Sequence, residues 1–231
     1  LERHNTMKNY ILSKLKCVTK QSENDVALIA NNNLIKKFLR LKSIKSKIIF
    51  VRKNNYNPLK NKLNNNNFIH SANFQNLNFL FELSKYMKLN LKTVLKTINN
   101  FKPLKFRQEV IYRTKYLKII NDSKSTTLSS TIPFLETNEK VFWILGGLFK
   151  KGDKFNLNKK YFKNLEAYIY GKDRKVFLKL FKSKIKVNLS KDLRNILKLI
   201  PNLKDIKTKV TVLFSPSAAS FDQYKNFEER G

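Results

Sequence analysis

From residue 108 onward, short apolar runs alternate with segments of helical spacing, and few folds other than a parallel sheet with helices on its faces accommodate that pattern. Strands are expected at 108–112, 116–120, 141–145, 167–170, 184–187 and 210–214, with helices at 127–135, 157–164, 174–181, 189–199 and 220–229. Upstream the order is different. A helix is expected at 7–18, strands at 25–30 and 47–52, an exposed Asn/Lys-rich loop or hairpin at 54–67, and helices at 73–87 and 91–99. A Pro-containing connector at 99–105 marks the expected boundary between two α/β domains, residues 1–102 and 103–231. The chain begins at Leu1 and breaks off within an apparent helical pattern at Gly231, so it is expected to be a piece of a longer polypeptide.

Within the second domain, the run Tyr116-Leu117-Lys118-Ile119-Ile120 reads as a buried strand that stops at a polar cluster, Asn121 to Thr127, suited to cap a helix. Ligands of α/β sheets bind at the carboxyl ends of strands, where a helix N-terminus offers free N–H groups to anions. In that arrangement Asp122 can take ribose hydroxyls, Lys124 an anion, and Thr126 a carboxylate or phosphate. Taken alone, the same residues also fit a capped surface turn.

Composition limits the alternatives. With 231 residues, 42% of them hydrophobic, the chain can bury a substantial core. Its longest apolar stretch, around 141–149, falls short of the ~20 residues of a membrane span, and no secretory leader is evident. A cytoplasmic protein without membrane contact is expected, and the single Cys17, which has no partner for an internal disulfide, reads as a small core residue. The formal charge of +32 raises a basic nucleic-acid-binding protein as the rival. Against it, the cations are 40 Lys and 8 Arg, scattered along the chain with abundant Asn, Ile and Phe. Base readout leans on Arg, so the lysines read as a solvated surface and no nucleic-acid partner is expected.

Four stretches, in order, go further. They are His70-Ser71-Ala72-Asn73-Phe74-Gln75-Asn76, Leu104-Lys105-Phe106-Arg107-Gln108-Glu109-Val110, Asn121-Asp122-Ser123-Lys124-Ser125-Thr126, and the closing run from Leu213 through Ser215-Pro216-Ser217-Ala218-Ala219-Ser220-Phe221-Asp222 to Phe227-Glu228-Glu229-Arg230-Gly231. Together they resemble the ATP-dependent Mur ligases of peptidoglycan synthesis, and the last is similar to the ending of the D-glutamate-adding branch. A sister ligase of the folate or another Mur branch would share the ATP residues but not that ending.

The resemblance implies the second half of a central ATPase domain followed by a Rossmann-like C-terminal domain. It also implies ATP and Mg²⁺, and as substrates UDP-N-acetylmuramoyl-L-alanine and D-glutamate, joined through an acyl phosphate by a monomeric enzyme. No G-x-x-G-K-[ST] phosphate loop occurs in these residues, so the chain by itself is expected to be inactive; an inactive ligase remnant is the other alternative. Lys14, in Tyr10-Ile11-Leu12-Ser13-Lys14, resembles a lysine that is carbamylated and then binds Mg²⁺. Asn73 and Asn76 match residues facing adenine, with Ala72 where His is usual. Arg107 matches a γ-phosphate contact, although Lys105 and Phe106 replace the usual Pro and His. Asp122 matches the ribose contact, Lys124 and Thr126 the surroundings of the acyl phosphate and incoming glutamate. Lys150, with Lys151 as rival, matches a lysine for the glutamate carboxylate, and Ser220, Phe221 and Phe227 the remaining glutamate contacts. Catalytic roles fall to Lys14, Arg107 and Lys124. His4 and His70 read as surface residues.

Overall fold

The computed structural model describes residues 4–65, 71–102, 104–200, 203 and 206–231, with backbone alone for 71–74. The chain divides into two compact units, Leu1–Phe101 and Lys102–Gly231.

In the first unit, α1 (Met7–Thr19) starts where the Thr6 side chain accepts from the Asn9 N–H, and it buries Ile11, Leu15 and Val18 on one face. That face meets the parallel pair β1 (Val26–Ala30) and β2 (Lys47–Val51), joined by α2 (Asn33–Leu39). α3 (Ser71–Tyr86) and α4 (Leu91–Asn100) form a second cluster around Leu77, Phe81, Val94 and Ile98. The loop expected at 54–67 contains a short 3-10 helix, Asn57–Lys62, entered through Pro58. Cys17 is exposed, its Sγ 2.9 Å from the Lys14 carbonyl, because it lies on the solvent side of α1.

The second unit carries a six-stranded sheet. Its elements are β3 (Glu109–Arg113), β4 (Leu117–Asn121), α5 (Leu128–Leu135), β5 (Lys140–Gly146), β6 (Leu165–Tyr170), α6 (Arg174–Phe181), β7 (Lys186–Leu189), α7 (Leu193–Leu199), β8 (Val210–Phe214) and α8 (Phe227–Arg230). Strand order is β3-β4-β8-β5-β6-β7, with β3 antiparallel to β4 and every other pair parallel. The last strand therefore inserts between β4 and β5. The chain leaves β4 towards one side of β8 and returns at β5 on the other, and such a switch opens a crevice at the carboxyl ends.

Pleat alternation divides the core. Val141, Trp143 and Leu145 face α5 and α6, with Phe177 and Phe181, whereas Phe142 and Ile144 face α7 and Ile196. Two expected helices are not formed. The segment 157–164 shortens to a 3-10 turn at Lys159–Asn164. The span 220–229 keeps only α8, because Asp222 turns away to accept from the Lys172 N–H at 2.9 Å and Asn226 caps the helix that begins afterwards.

At the amino end of the sheet, away from the crevice, Glu166 is buried beneath two lysines. Its carboxylate accepts from Lys186 Nζ at 2.9 Å, Tyr168 Oη at 2.9 Å and Asn188 Nδ2 at 3.0 Å, with Lys140 Nζ at 3.5 Å. Burial by itself would raise the Glu166 pKa, but the hydrogen bonds from Lys186, Tyr168 and Asn188 and the Lys186 charge together hold it at about 2. The depressed value gives stability that is complete above pH 4.5 and is lost as pH falls towards 2. Glu166→Gln is expected to cost about 1–2 kcal/mol at pH 7, the exposed Lys186 limiting the effect through solvent screening. Urea titrations at pH 7, 4 and 2.5 check it, and a variant that loses stability as steeply as the parent below pH 4.5 would rule it out.

Candidate functional site

The crevice is built where the loops after β4, β5 and β8 meet at the carboxyl ends of those strands. The Asp122 N–H donates to the Phe214 carbonyl at 2.7 Å, the Gly146 N–H to Pro216 at 3.0 Å, and Leu148 and Ala219 exchange a pair of backbone bonds at 2.9 and 3.1 Å. Two glycines permit this approach. Gly146 and Gly147 sit at φ +141° and +125°, and a Cβ on either would collide with the carbonyl of Tyr170 or of Ala219.

Arg107 enters from the segment before β3. Phe106 and Gln108 flank it at φ +60° and +55°, in left-handed conformations that non-glycine residues seldom adopt without local constraint. The constraints are visible. The Phe106 N–H donates to Glu109 Oε2 at 2.9 Å, the Gln108 N–H to Asp122 Oδ1 at 3.2 Å, and the Lys124 N–H to the Phe106 carbonyl at 3.0 Å. The exposed guanidinium of Arg107 is thus presented on a turn pinned to Asp122.

Asp122 is 4% exposed, and its Oδ2 accepts from Ser215 Oγ at 3.0 Å. Burial pushes its carboxyl up to about 6, against the Ser215 hydroxyl, the Gln108 N–H and the Arg107 charge, each of which favours the ionised form. Lys124 and Thr126 point outward beside it, and Lys124 Nζ lies 3.6 Å from the centre of the Phe227 ring. Phe227 opens α8 and is half-buried; Phe221 is 71% exposed, which excludes a core-packing role for it. Lys150 and Lys151 are both exposed on the loop after β5. Ser220 is buried at the start of a turn, its carbonyl accepting from Gln223 and Tyr224, rather than at the helix start expected for it.

The N-terminus of α5 is less open to an anion than the sequence suggests. Thr127 caps it by accepting from the Ser130 N–H, and Asp153 Oδ2 already holds the Leu128 N–H. The exposed side-chain cations of the crevice, Arg107 and Lys124, are the more open partners for an anion.

Two residues with no assigned role turn out to organise the site. Arg230, 4% exposed, donates through Nη2 and Nε to the Ser123 carbonyl and Oγ, and through Nη1 to the Ala218 carbonyl. With the bonds from Asn121 Nδ2 to the Gly231 carbonyl and from Ser123 Oγ to the Phe227 carbonyl, it ties α8 to the loop after β4. Trp143 Nε1 likewise holds the Ser215 carbonyl at 2.9 Å. Its place in the closing run was the available signal for the first; nothing local signalled the second.

The remaining candidates lie in the first unit. Lys14 is exposed on α1, its Nζ 5.6 Å from the Tyr10 ring centre, and His4 packs edge-on to the same ring. Asn76 is exposed on α3. The side chains of Ala72 and Asn73, and His70 as a whole, lie outside the described residues.

No family model matches the chain. Curated relatives do. The UDP-N-acetylmuramoylalanine--D-glutamate ligase of Rickettsia felis is 26% identical over 251 residues, covering 100% of this chain and 56% of its own length. The ligase of the same name from the Wolbachia of Brugia malayi is 28% identical, covering 100% of this chain and 49% of itself. Over its whole length the chain is similar to these two ligases. It spans about half the length of these relatives. Among solved structures, MurF from Acinetobacter baumannii superposes over 95% of this chain and 54% of its own with a TM-score of 0.64 at 14% identity, which establishes the Mur-ligase fold with its mostly parallel sheet.

A lysine ammonium repels a divalent cation, and no group of three or more His, Cys, Asp or Glu side chains able to hold a metal occurs among the described residues. The residues present do not by themselves fit Mg²⁺. No helix among the described residues is long and apolar enough to cross a membrane.

Proposed function

We propose that this chain supplies the amino-acid-binding unit, and part of the ATP-binding unit, of a ligase that joins D-glutamate to UDP-N-acetylmuramoyl-L-alanine through an acyl phosphate. Mur ligases are ATP-dependent, and both named relatives carry that substrate pair in their names. The observation that supports the reading best is the convergence of Asp122, Lys124 and Phe227 on one crevice through sequence-distant hydrogen bonds and the Lys124–Phe227 contact.

In this reading Lys102–Gly231 is the glutamate-binding unit and residues 1–102 belong to the ATP-binding domain, where Asn73 and Asn76 face adenine. Asp122 accepts from the ribose hydroxyls. Arg107, free to swing at the surface, makes bidentate contact with the γ-phosphate. Lys124 and Thr126 neutralise and orient the acyl phosphate, and Lys150 pairs with a glutamate carboxylate beside Ser220, Phe221 and Phe227. The amine of D-glutamate then attacks the acyl carbon, an amide forms and phosphate leaves. The contribution of these side chains is positioning and charge neutralisation. Lys14 would become a metal ligand only once carbamylated.

Titrating the 231-residue chain with D- and L-glutamate tests the reading, followed by amide chemical shifts. D-glutamate is expected to perturb residues 124–126, 148–151 and 220–227, and Lys150→Ala to weaken binding about tenfold, as the loss of one charge-assisted contact implies. Equal responses to the two enantiomers would sink it.

A further inference from the structure

Behind Asp122 lies a cluster of hydroxyls that the proposed reaction leaves unused. Thr131, on the buried side of α5, is fully enclosed, as are Ser215 and Ser217 on the loop after β8, and Ser125 is 5% exposed. Thr131 Oγ1 lies 2.7 Å from Ser215 Oγ, 2.7 Å from Ser217 Oγ and 3.1 Å from Ser125 Oγ, and Ser125 Oγ lies 2.7 Å from Ser130 Oγ. Two stretches far apart in sequence, 125–131 and 215–217, supply these groups, and Ser217 is held at φ +55° to take part.

A hydroxyl has one proton to donate and two lone pairs with which to accept. An ionised Asp122 only accepts, so the Ser215 proton is committed to it. The contact between Thr131 and Ser215 must then be made by Thr131 donating. With that proton spent, Ser217 donates to Thr131, its other acceptor, the Ser215 carbonyl, being farther off at 3.3 Å. Ser130 Oγ donates to the Thr127 carbonyl at 2.6 Å, so the 2.7 Å contact between Ser125 and Ser130 is made by Ser125 donating, and Ser125 stands outside the relay. One direction is therefore imposed along the chain, Ser217 to Thr131 to Ser215 to Asp122. It reverses when the carboxyl carries a proton and can donate.

We infer that Thr131 is a positioning residue for Asp122, acting through Ser215, and that the hydroxyl chain converging on Thr131 fixes the orientation and charge of the carboxylate. The proposed function enters only through what that carboxylate binds, the ribose. Chained hydroxyls polarise one another, so a donor into Ser215 strengthens its bond to the carboxylate. The charged groups around Asp122 do not duplicate this. Arg107 and Glu109 stand on the β3 side, Lys124 on its own loop, and Arg230 is engaged with Ser123 and Ala218; α5 has no ionisable side chain.

The test is the titration of the Asp122 side-chain carboxyl carbon by NMR in the 231-residue chain. Thr131→Val keeps the shape and removes the hydroxyl. Its midpoint is expected to rise by about half a unit or more, roughly a threefold smaller acid dissociation constant, because the ionised form loses polarised hydrogen bonding. Thr131→Ser is expected to restore the parent midpoint, which a role in packing alone would not do. Ser217→Ala, two hydrogen bonds from Ser215, is expected to shift it in the same direction by less. A folded Thr131→Val chain with the parent midpoint overturns the inference; should that variant not fold, an unshifted Ser217→Ala does so. Adenine-nucleotide binding is read separately. If the midpoint moves and the chain shows no nucleotide-dependent shift at Asp122, the ribose assignment fails and the hydroxyl chain stands.

Discussion

Replacing Trp143 with alanine is expected to lower the stability of the Lys102–Gly231 unit by about 3–5 kcal/mol. Trp143 is fully buried at the middle of β5, flanked by β8 and β6. Its ring stacks on Phe155 with centroids 5.8 Å apart and meets Phe181 edge-on at 5.4 Å. Alanine removes both contacts, leaves a cavity that strand backbones on either side cannot close, and deprives the Ser215 carbonyl of its indole donor. Trp143→Phe separates the effects. It retains most of the apolar contact and loses the N–H, so a cost of about 1–2 kcal/mol is expected. Urea unfolding followed by far-UV circular dichroism measures both. A loss under about 1 kcal/mol for the alanine variant would mean that the α5–α6 side of the sheet is not the cooperative core of the unit.

The alternation that places Trp143 was legible in the sequence because each strand is short, apolar and bounded by polar turns, so β4, β5, β6 and β8 fall within a residue or two of their expected positions. A capped helix start near Thr127 was legible for the same reason, since capping is a local rule, and the structure makes Thr127 itself the cap. The helix α2 is not legible in the sequence, although Asn32 caps it by accepting from the Leu34 and Ile35 N–H groups, because seven residues hold too few apolar repeats to show a period. The expected helix at 220–229 failed in the opposite way. Its apolar spacing is helical, but a distant backbone N–H at Lys172 claims Asp222. The site divides along the same line. Asp122, Lys124 and the closing run stood out as a pattern, whereas the environment of Asp122 is set by Ser215, 93 positions away, and by Thr131 behind it. Local propensity carries no information about such pairings. Arg230 lay in plain view within the closing run, yet its burial depends on carbonyls at Ser123 and Ala218 that the fold alone brings near.

That distant environment makes Asp122 costly to the free chain, and Asp122→Asn is expected to show by how much. The folded carboxyl holds its proton up to about pH 6, the unfolded one only to 3.8. Between those values the folded state binds more protons, so stability falls as pH rises through this window, by about 3 kcal/mol for two units. Below 3.8 both states are protonated and the group is neutral to the balance. Asparagine is never ionised, and it can keep both contacts. Its Oδ1 accepts from the Gln108 N–H, and its Nδ2 donates to Ser215, whose proton then passes to Thr131, running the hydroxyl chain in the reversed direction. The variant is therefore expected to match the parent at pH 4 and to exceed it by about 2–3 kcal/mol at pH 7.5. The Glu166 window lies lower, between 4.5 and about 2, and slopes the other way, so the two are separable in one series of urea titrations from pH 2.5 to 7.5. Parallel curves for parent and variant above pH 4 would mean that Asp122 is ionised without penalty in the folded chain. A gain that opens as pH rises past about 4 and levels off above about 6 would show that the crevice holds a destabilising charge, and a residue that weakens its own fold while ionised is better explained by binding than by packing.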